Sequence, residues 1–383
     1  MIPAGAWKHK SYDVCMISTR HPLFEQRIYH KEATSLRKKL GLKVLVIYFD
    51  THHEMFQETE QADVLVLRKK RNNPAFFIRK LREVTKELDV NTYHIHDFDA
   101  LALIPYLKRR RKSKVVYDVH ENYQRMIRQA SHLSGAVKRL IVVASILYER
   151  HYSRKADHII TVVEHHEQKF RKWGFKKGIT CIKNHPKTEI YKDGKTKKKY
   201  DFVYCGTVSE DRGVSEFLDF MKAYKEEGFT ARIVMTGRPE ERRKIKDKVK
   251  SSGLQEQVTL KEKLPFKEIP GELAKARIGF VLFHDNPKRT DGFSTKLIEY
   301  AATGLPSITT SYNKRMKAFI DTYHAGVTID KITPKRIREA YDLIMGNYEE
   351  FSKNSKKGAK ENSWKKEEEK LVGMYKKLLQ VKR

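Results

Sequence analysis

Short runs of apolar, mostly β-branched residues alternate along this chain with longer amphipathic stretches. That alternation is typical of βαβ units, in which helices connect the strands of a parallel sheet. The strands predicted in the first half are 12–18, 43–49, 63–67, 92–96, 114–119, 158–163 and 179–184. The strands predicted in the second half are 201–206, 231–237, 257–261, 278–283 and 307–311. The sequence therefore predicts an α/β fold with two Rossmann-like domains in series.

A lysine-rich segment, 190–200, separates the two halves and is predicted to be a linker. At about 150 residues per domain, a chain of 383 residues is long enough for two domains with ample cores. We predict an N-terminal domain at 1–189 and a C-terminal domain at 201–360. In the last segment, 361–383, apolar residues share one helical face, which predicts a terminal helix docked on a domain.

The chain has three cysteines, Cys15, Cys181 and Cys205, and their odd number and wide spacing argue against a disulfide framework. They favour a reducing compartment. The N-terminus lacks the apolar run of a signal peptide, and no apolar run reaches the ~20 residues of a membrane-spanning helix. We therefore expect a cytoplasmic protein.

The formal net charge is +31, which predicts an anionic partner, either nucleic acid or the inner face of an anionic membrane. Lysines and arginines are concentrated in 68–71, 108–114, 169–177 and 192–199. Any single cluster is equally consistent with a solvated face. The amphipathic stretch 136–155 fits a membrane-surface helix and a core helix equally well. No DNA- or RNA-binding motif accompanies the charge, which makes nucleic acid the weaker alternative.

The segment 291–310 is typical of a helix that begins by binding an anionic group. Ser294 and Thr295 are candidate capping residues at its start. The backbone N–H groups of a helix start carry roughly half a positive charge, which favours a phosphate. Lys296 adds a full charge in the first turn. We therefore expect a diphosphate to fit at this position.

Two carboxylates, Asp291 and Glu299, frame this helix start and are candidates to accept hydrogen bonds from sugar hydroxyls. Gly206 ends the first predicted strand of the second half, and Arg212 lies in the Gly-containing loop after it. A loop glycine lets backbone approach a phosphate, and an arginine binds oxyanions in a fork, so this segment predicts a second phosphate contact. No G-x-G-x-x-G follows any predicted strand, so a dinucleotide cofactor has little support.

Polar residues also follow the predicted strand 92–96, where His94, His96, Asp97 and Asp99 invite a metal interpretation. No third cluster supplies clear further ligands, and histidine pairs more often bind backbone or carboxylate groups. We therefore expect no metal, and we keep His96 and Asp97 as candidate sugar or acceptor contacts.

The next strand ends in Asp118 and is followed by His120, at the edge where open α/β sheets bind ligands. Two interpretations of His120 are open. In the functional one it hydrogen-bonds a sugar or stabilises charge at a reacting carbon, and in the structural one it only caps the following helix. After the first strand, His21 and Arg27 occupy a similar position, with Arg27 as a ligand contact or a surface residue. The polar strand ends favour a binding function for this edge.

Together these segments resemble the retaining glycosyltransferases of family 4, which have the GT-B fold of two Rossmann-like domains facing across a cleft. The resemblance covers nearly the whole chain. It is carried by 21–36, by 93–99 and 117–121, by Asn184 and Pro186, by 204–213, by the spacing from Asp291 to Glu299, and by 295–306. It implies that the C-terminal helix packs back toward the N-terminal domain.

The resemblance also implies the chemistry. A nucleotide-diphosphate-sugar donor would bind mainly to the C-terminal domain and the acceptor to the N-terminal domain, with no metal and no other cofactor. By matched position, Glu299 would hold the ribose, and Lys296 with Arg212 the diphosphate. Asp291 and His120 would be the catalytic residues at the donor sugar. Retention would follow from attack on the face that the diphosphate leaves, with a phosphate oxygen taking the acceptor proton.

This chain departs from the family pattern at three places. Gly206 is followed by Thr207 where many members have arginine, Asp291 stands where glutamate is usual, and the glycine-rich first loop is replaced by the residues around His21. Donor contacts from the N-terminal domain therefore cannot be transferred, and the base of the nucleotide stays open.

We therefore expect a metal-independent hexosyl- or N-acetylhexosaminyl-type glycosyltransferase that builds a surface polysaccharide or glycolipid of the cell envelope. Its expected partners are a nucleotide sugar, a glycan or lipid-linked acceptor, and an anionic membrane to which it binds peripherally from the cytoplasm. The alternatives are a nucleotide-sugar epimerase or hydrolase of the same fold and, with less support, a basic nucleic-acid-binding protein.

Overall fold

The computed structural model describes residues 6–70, 73–111, 113–120, 122–129, 134–191, 196–286 and 292–380. The chain forms two compact units. The first unit consists of Met1–Asn184 with Lys365–Arg383, and the second of His185–Trp364. Each unit is built on its own sheet, and the following paragraphs describe them in turn.

The first unit contains an eight-stranded sheet in the order β3-β4-β2-β1-β5-β6-β7-β8. Its strands are β1 (Ser11–Ile17), β2 (Val44–Asp50), β3 (Met55–Gln57), β4 (Asp63–Arg68), β5 (Asp89–Ile95), β6 (Lys114–Val119), β7 (His158–Thr161) and β8 (Gly178–Cys181). All neighbours pair in parallel except β3, which runs antiparallel to β4. Strands β2, β3 and β4 lie on one side of β1, and strands β5 to β8 lie on the other side. The strand order therefore reverses between β1 and β5, and the carboxyl ends of these two strands form a switch point of the kind where α/β sheets bind ligands.

After β1 a loop leads into a π-helix, Gln26–Ala33. This π-helix continues directly into the first α-helix. The other helical segments up to β8 cover the sheet. They are α1 (Thr34–Leu40), α2 (Pro74–Lys86), a 3₁₀ segment (Phe98–Leu103), α3 (Ile104–Arg111), α4 (Tyr123–Arg128), α5 (Gly135–Ser153) and α6 (Glu164–Lys172).

The second unit contains a six-stranded parallel sheet in the order β11-β10-β9-β12-β13-β14. Its strands are β9 (Tyr200–Thr207), β10 (Ala231–Thr236), β11 (Val258–Lys261), β12 (Ala276–Val281), β13 (Ser307–Thr310) and β14 (Gly326–Ile329). Its α-helices are α7 (Val214–Ala223), α8 (Pro239–Ser251), α9 (Ile269–Ala274), α10 (Thr295–Ala302), α11 (Lys314–Tyr323), α12 (Pro334–Gly346) and α13 (Tyr348–Glu361). The switch point lies between β9 and β12, and α10 is the helix between β12 and β13.

These two parallel sheets confirm the predicted fold class. Every predicted strand is present, with its ends shifted by a few residues. The structure adds β3 and β14, two short strands at sheet edges that the sequence analysis missed. Within the described ranges, no helix combines the length and the hydropathy needed to cross a bilayer.

The last helix, α14 (Trp364–Leu379), returns to the first unit, as the fold prediction required. The Tyr375 hydroxyl lies 2.9 Å from His94 Nδ1, and the Ser35 hydroxyl donates to Glu368 at 2.6 Å. Leu371 is fully buried. The first unit therefore depends on residues from both ends of the chain.

Candidate functional site

In the second unit, Gly206 at the end of β9 lies directly beneath the side chain of Lys296. A Cβ added to Gly206 would lie 2.1 Å from Lys296 Cε, and the φ angle of Gly206 is +150°. Only glycine combines this backbone conformation with such a close approach. The structure thus brings together two predicted site residues from β9 and α10.

Glu299 lies one turn further along α10, on the same side. Burial raises the pKa of Cys205 to about 12; the Glu299 carboxylate adds to this rise, and the Lys296 ammonium opposes it. Both charged groups therefore act on the residue that precedes Gly206. Lys296 Nζ also lies 5.7 Å from the centre of the Tyr204 ring. Lys296 and Glu299 are both partly exposed, so a ligand can reach them.

Arg212 reaches the same region from a 3₁₀ turn, Glu210–Arg212. Its guanidinium carbon lies 5.4 Å from the centre of the Phe283 ring. Burial raises the pKa of Tyr204 to about 12, and the charge and hydrogen bond of Arg212 oppose that rise. Arg212 Nε is buried without a hydrogen-bond partner in the described part of the chain. A second cation with unused donor capacity therefore lies beside Tyr204.

The loop that carries Arg212 is held against β12 by the next residue, Gly213. Its φ angle is +65°, and a Cβ there would lie 2.2 Å from the Leu282 carbonyl oxygen. This glycine therefore positions the arginine.

The start of α10 differs from the prediction in one respect. Ser294 occupies the N-cap position, but its side chain makes no capping hydrogen bond. The predicted cap by the Ser294 side chain is therefore wrong, and the Leu297 N–H donates instead to the Ser294 carbonyl, at 3.1 Å. A helix whose N-cap side chain makes no capping bond has N–H groups that can donate to an anion. Asp291 lies outside the described residues.

In the first unit, the loop after β1 is tied to Asp97, which follows β5. The Thr19 N–H donates to Asp97 at 2.7 Å, and the Ser18 hydroxyl donates to the same oxygen at 3.1 Å. His21 Nδ1 lies 3.4 Å from the other Asp97 oxygen. The sheet edge therefore orients the ring of His21, a predicted contact residue.

The His21–Asp97 pair is electrostatically coupled. Burial lowers the pKa of His21, but the hydrogen bond and charge of Asp97 outweigh burial, so the pKa lies above its usual value. Burial raises the pKa of Asp97, but His21 and the Thr19 N–H outweigh it and bring the pKa to about 2. The pair therefore favours a charged imidazole beside an ionised carboxylate.

His120 is the second accessible histidine at this edge, and its ring centre lies 4.8 Å from that of His21. His120 Nε2 lies 3.0 Å from Asp118 Oδ2 and 3.1 Å from His96 Nδ1. When Nε2–H donates to the carboxylate, Nδ1 of His120 is the acceptor that remains. The His120 side chain is 10% exposed, whereas Asp118 is fully buried. His120 is therefore placed for contact, and Asp118 orients it.

Three predicted contacts are corrected by their burial: Arg27 is 2% exposed, and His96 and Asp97 are each 1% exposed. The alternative of Arg27 as a surface residue is wrong as well. Its guanidinium donates to Asp118 at 3.1 Å and to the Ile182 carbonyl at 3.0 Å. Residues this deeply buried are not exposed to a ligand. Asp97 and His96 instead contact the more accessible His21 and His120.

The sequence analysis missed Glu32, which joins this buried cluster. Arg27 Nε lies 2.9 Å from Glu32 Oε1. Both residues lie on the π-helix, whose i to i+5 repeat brings side chains five positions apart together. Burial raises the pKa of Glu32 well above its usual value, and Arg27 opposes that rise. The pKa of Asp118 is held well below its usual value by Arg27 and His120 against the effect of burial. Of the two buried carboxyl groups, Glu32 and Asp118, Asp118 is therefore the ionised one.

Glu32, His94, His96 and Asp118 place one ligand atom each within 4.8 Å of one another. The sequence argument that no further metal ligands are present is therefore wrong in its premise. The donor types suit zinc, but the Arg27 guanidinium already contacts both carboxylates. The Arg27 guanidinium thus supplies the positive charge that a metal ion would supply to these two carboxylates. The absence of a metal from this site stays a prediction.

Comparisons with known proteins follow the division into two units. Residues 26–185 match the family model described as Glycosyltransferase Family 4, and residues 187–362 match the model described as Glycosyl transferases group 1. Comparison with curated protein sequences finds no match.

Solved structures match along nearly the whole chain. A sucrose-phosphate synthase from Thermosynechococcus elongatus has 14% identity and a TM-score of 0.72, over 97% of this chain and 100% of that one. The Anabaena protein HepE in complex with UDP has 12% identity and a TM-score of 0.68, over 95% and 100%. A glycosyltransferase from Rickettsia africae has 11% identity and a TM-score of 0.67, over 97% and 100%. At these identities the likeness establishes the fold.

The contact between Gly206 and Lys296 leads to a first prediction. In Gly206→Ala the new methyl group would displace the Lys296 ammonium, so one charge-assisted bond to a phosphate would be lost. We expect nucleoside diphosphate binding, measured by calorimetry, to weaken by about 10- to 100-fold. Gly346→Ala, which adds a methyl group in open space, is the control. Equal affinity of Gly206→Ala and wild type would contradict the assigned position of Lys296.

A second prediction concerns pH. A histidine with a raised folded-state pKa stabilises the fold fully below its unfolded pKa of about 6.5, and this stabilisation is lost as the pH rises through the folded-state value. We expect the Tm difference between wild type and His21→Gln to be largest near about pH 6 and to shrink toward about pH 9. The exposed His165→Gln is the control. A difference that does not change with pH would rule out the His21–Asp97 coupling.

Proposed function

We propose that this chain, whose two halves match glycosyltransferase family models and whose fold is GT-B, transfers a hexosyl or N-acetylhexosaminyl group from a nucleotide-diphosphate sugar to a glycan or glycolipid. The observation that carries the proposal is the packing of Lys296 on Gly206, with Glu299 on the same side and Arg212 beside Tyr204. Two cations, a carboxylate and a helix start converge there.

The donor argument is electrostatic. Lys296 and Arg212 each bring a full charge, and the start of α10 adds roughly half a charge. Together they offset most of the charge of a diphosphate, which is the role a divalent ion plays in other transferases. The structure of HepE in complex with UDP-glucose is that of a similar fold and supports a uridine nucleotide sugar here. We therefore propose a metal-independent enzyme.

Within this site, Glu299 holds the ribose hydroxyls, as its family position implies. Ser294 and Thr295 at the start of α10 present backbone N–H groups to the diphosphate, and Asp291 accepts from the hydroxyls of the donor sugar. His120 contacts the same sugar near its reacting carbon. Its orientation by Asp118 supports this role.

The proposed reaction retains the configuration of the donor. The bond between the anomeric carbon and the diphosphate oxygen breaks, and the acceptor oxygen bonds to that carbon from the same face. The acceptor proton passes to an oxygen of the departing phosphate. Lys296, Arg212 and the helix start stabilise the charge that develops on this leaving group.

We also propose the product of the enzyme and its place in the cell. The motifs resemble those of bacterial enzymes of surface polysaccharide assembly, so the proposed product is a cell-envelope glycan or glycolipid made in the cytoplasm. An acceptor of this kind is lipid-linked. The net charge of +31 supports peripheral association with an anionic membrane.

The donor site is tested by thermal shift with UDP, GDP and their sugars. A ligand that binds only the native state raises the apparent Tm according to its affinity. We expect Lys296→Ala and Glu299→Ala to abolish the shift while the Tm without ligand stays that of wild type. Lys314→Ala, an exposed lysine of α11, should keep the full shift. A full shift in both site variants would overturn the assigned donor site.

The role of His120 makes a separate prediction. We expect His120→Ala to lower kcat by about 100-fold, because one preorganised contact to the reacting sugar is lost, while the nucleotide thermal shift is unchanged. Asp118→Asn should lower kcat as well, since the ring of His120 loses its carboxylate partner. Normal turnover in His120→Ala would exclude its role.

A turnover assay separates sugar transfer from hydrolysis and epimerisation of the donor. Donor turnover is followed by mass spectrometry with and without a membrane extract as the source of acceptor. A transferase forms a glycosylated product only with the extract. Release of free sugar without the extract would indicate a hydrolase, and an isomeric nucleotide sugar would indicate an epimerase.

A further inference from the structure

Helix α5 in the first unit has a mixed inward side and exposes many of its apolar residues. Its fully buried positions are Val142, Ser145, Glu149 and Ser153, and Tyr148 and Tyr152 are partly buried against the core. A helix that covers a sheet normally buries its apolar stripe and exposes its polar one. The position of α5 therefore depends on buried polar interactions as well as on burial of apolar surface.

The central polar interaction is that of the buried carboxylate of Glu149. It accepts a hydrogen bond from the Tyr117 hydroxyl at 3.0 Å and another from Gln124 Nε2 at 2.7 Å. Lys169 Nζ lies 3.1 Å from the same group. Rotating α5 to bury its apolar side would break all three interactions and leave charges unpaired. The helix is thus held with its apolar side outward.

The exposed side is correspondingly apolar. On α5, Leu140 is 70% exposed, Leu147 60% and Val143 53%. Val137 and Ile141 of α5 and Met126 of the adjacent α4 are also exposed. These residues, here called the α4–α5 apolar face, make up six of the nine large apolar side chains that are exposed in the described part of the chain. Apolar side chains concentrated in this way mark an interaction surface.

Apart from the buried Glu149, the charged side chains of α4 and α5 are all of one sign. Lys138, Arg139 and Arg150 lie on α5, and Arg125 and Arg128 lie on α4. The single carboxylate of the two helices, Glu149, is fully buried. An apolar helix face edged by cations, with no exposed carboxylate, is the pattern that lies in the interface of an anionic bilayer.

The charge also decides between lipid and a second copy of the chain. Two copies that met through the α4–α5 apolar face would bring their arginines and lysines together, in a protein whose net charge is already +31. Like charges oppose such an association. An anionic lipid surface instead satisfies both the apolar side chains and the cations.

We infer that the α4–α5 apolar face is a membrane-docking surface, on which α5 lies in the headgroup region of an anionic bilayer with Leu140 and Leu147 inserted. The inference rests on the membrane association proposed above and assigns it to one surface. It does not depend on the donor site, which lies in the second unit.

Flotation with vesicles tests the assignment, using phosphatidylglycerol mixed with phosphatidylcholine, or phosphatidylcholine alone, at low and high salt. We expect the wild type to bind only the anionic vesicles and to be released by salt. The double variant Leu140→Ser/Leu147→Ser should bind at least about 10-fold more weakly, because about two buried side chains are lost. Leu343→Ser on α12 is the matched control, since Leu343 is 53% exposed in the second unit.

Each other outcome counts against the inference. Equal flotation of wild type and the double variant would mean that another surface binds the lipid. A wild-type dimer in sedimentation analysis that becomes monomeric in the double variant would make this face an interface between copies. The nucleotide thermal shift, measured on the same samples, separates the two proposals: if the shift persists without flotation, docking fails and the donor site stands.

Discussion

The ion pair between Arg27 and Asp118 is the interaction on which the strand-end cluster of the first unit depends. Arg27 lies on the π-helix, Asp118 lies on β6, and the same guanidinium donates to the Ile182 carbonyl after β8. One buried cation therefore joins three parts of the sheet edge. Breaking such a pair by removing one partner costs about 3–5 kcal/mol. Because Arg27 keeps Asp118 ionised inside the protein, the carboxylate can orient His120.

Most of the fold could be predicted because buried parallel strands have a strong local signal. In β2, the run from Val44 to Phe49 is entirely buried, and its composition alone indicates a central strand. The edge strands β3 and β14 have only three and four residues. Their stability comes from pairing with β4 and β13, which no local pattern records. The strands that were missed are thus those defined by tertiary contacts.

The site in the second unit was predictable for a topological reason. The carboxyl ends of parallel strands share one edge, so Gly206 at the end of β9 and the helix after β12 had to meet. The cluster in the first unit was only half predictable. Glu32 was missed because a π-helix, rather than an α-helix, places it beside Arg27. Tyr375 contacts His94 across a sequence separation of 281 residues, and no sequence pattern links them.

Helix α5 marks a different limit of sequence analysis. Periodicity identifies an apolar side of a helix, but it does not say whether that side faces the core or the solvent. Here a carboxylate contributes to the direction, since Glu149 bonds to Tyr117, Gln124 and Lys169. The free energy of satisfying this buried charge opposes any rotation that would bury the exposed aliphatic side chains instead. Tyr148 and Tyr152 already pack on the core from the inward side, so the aliphatic residues that stay exposed are left for an external partner.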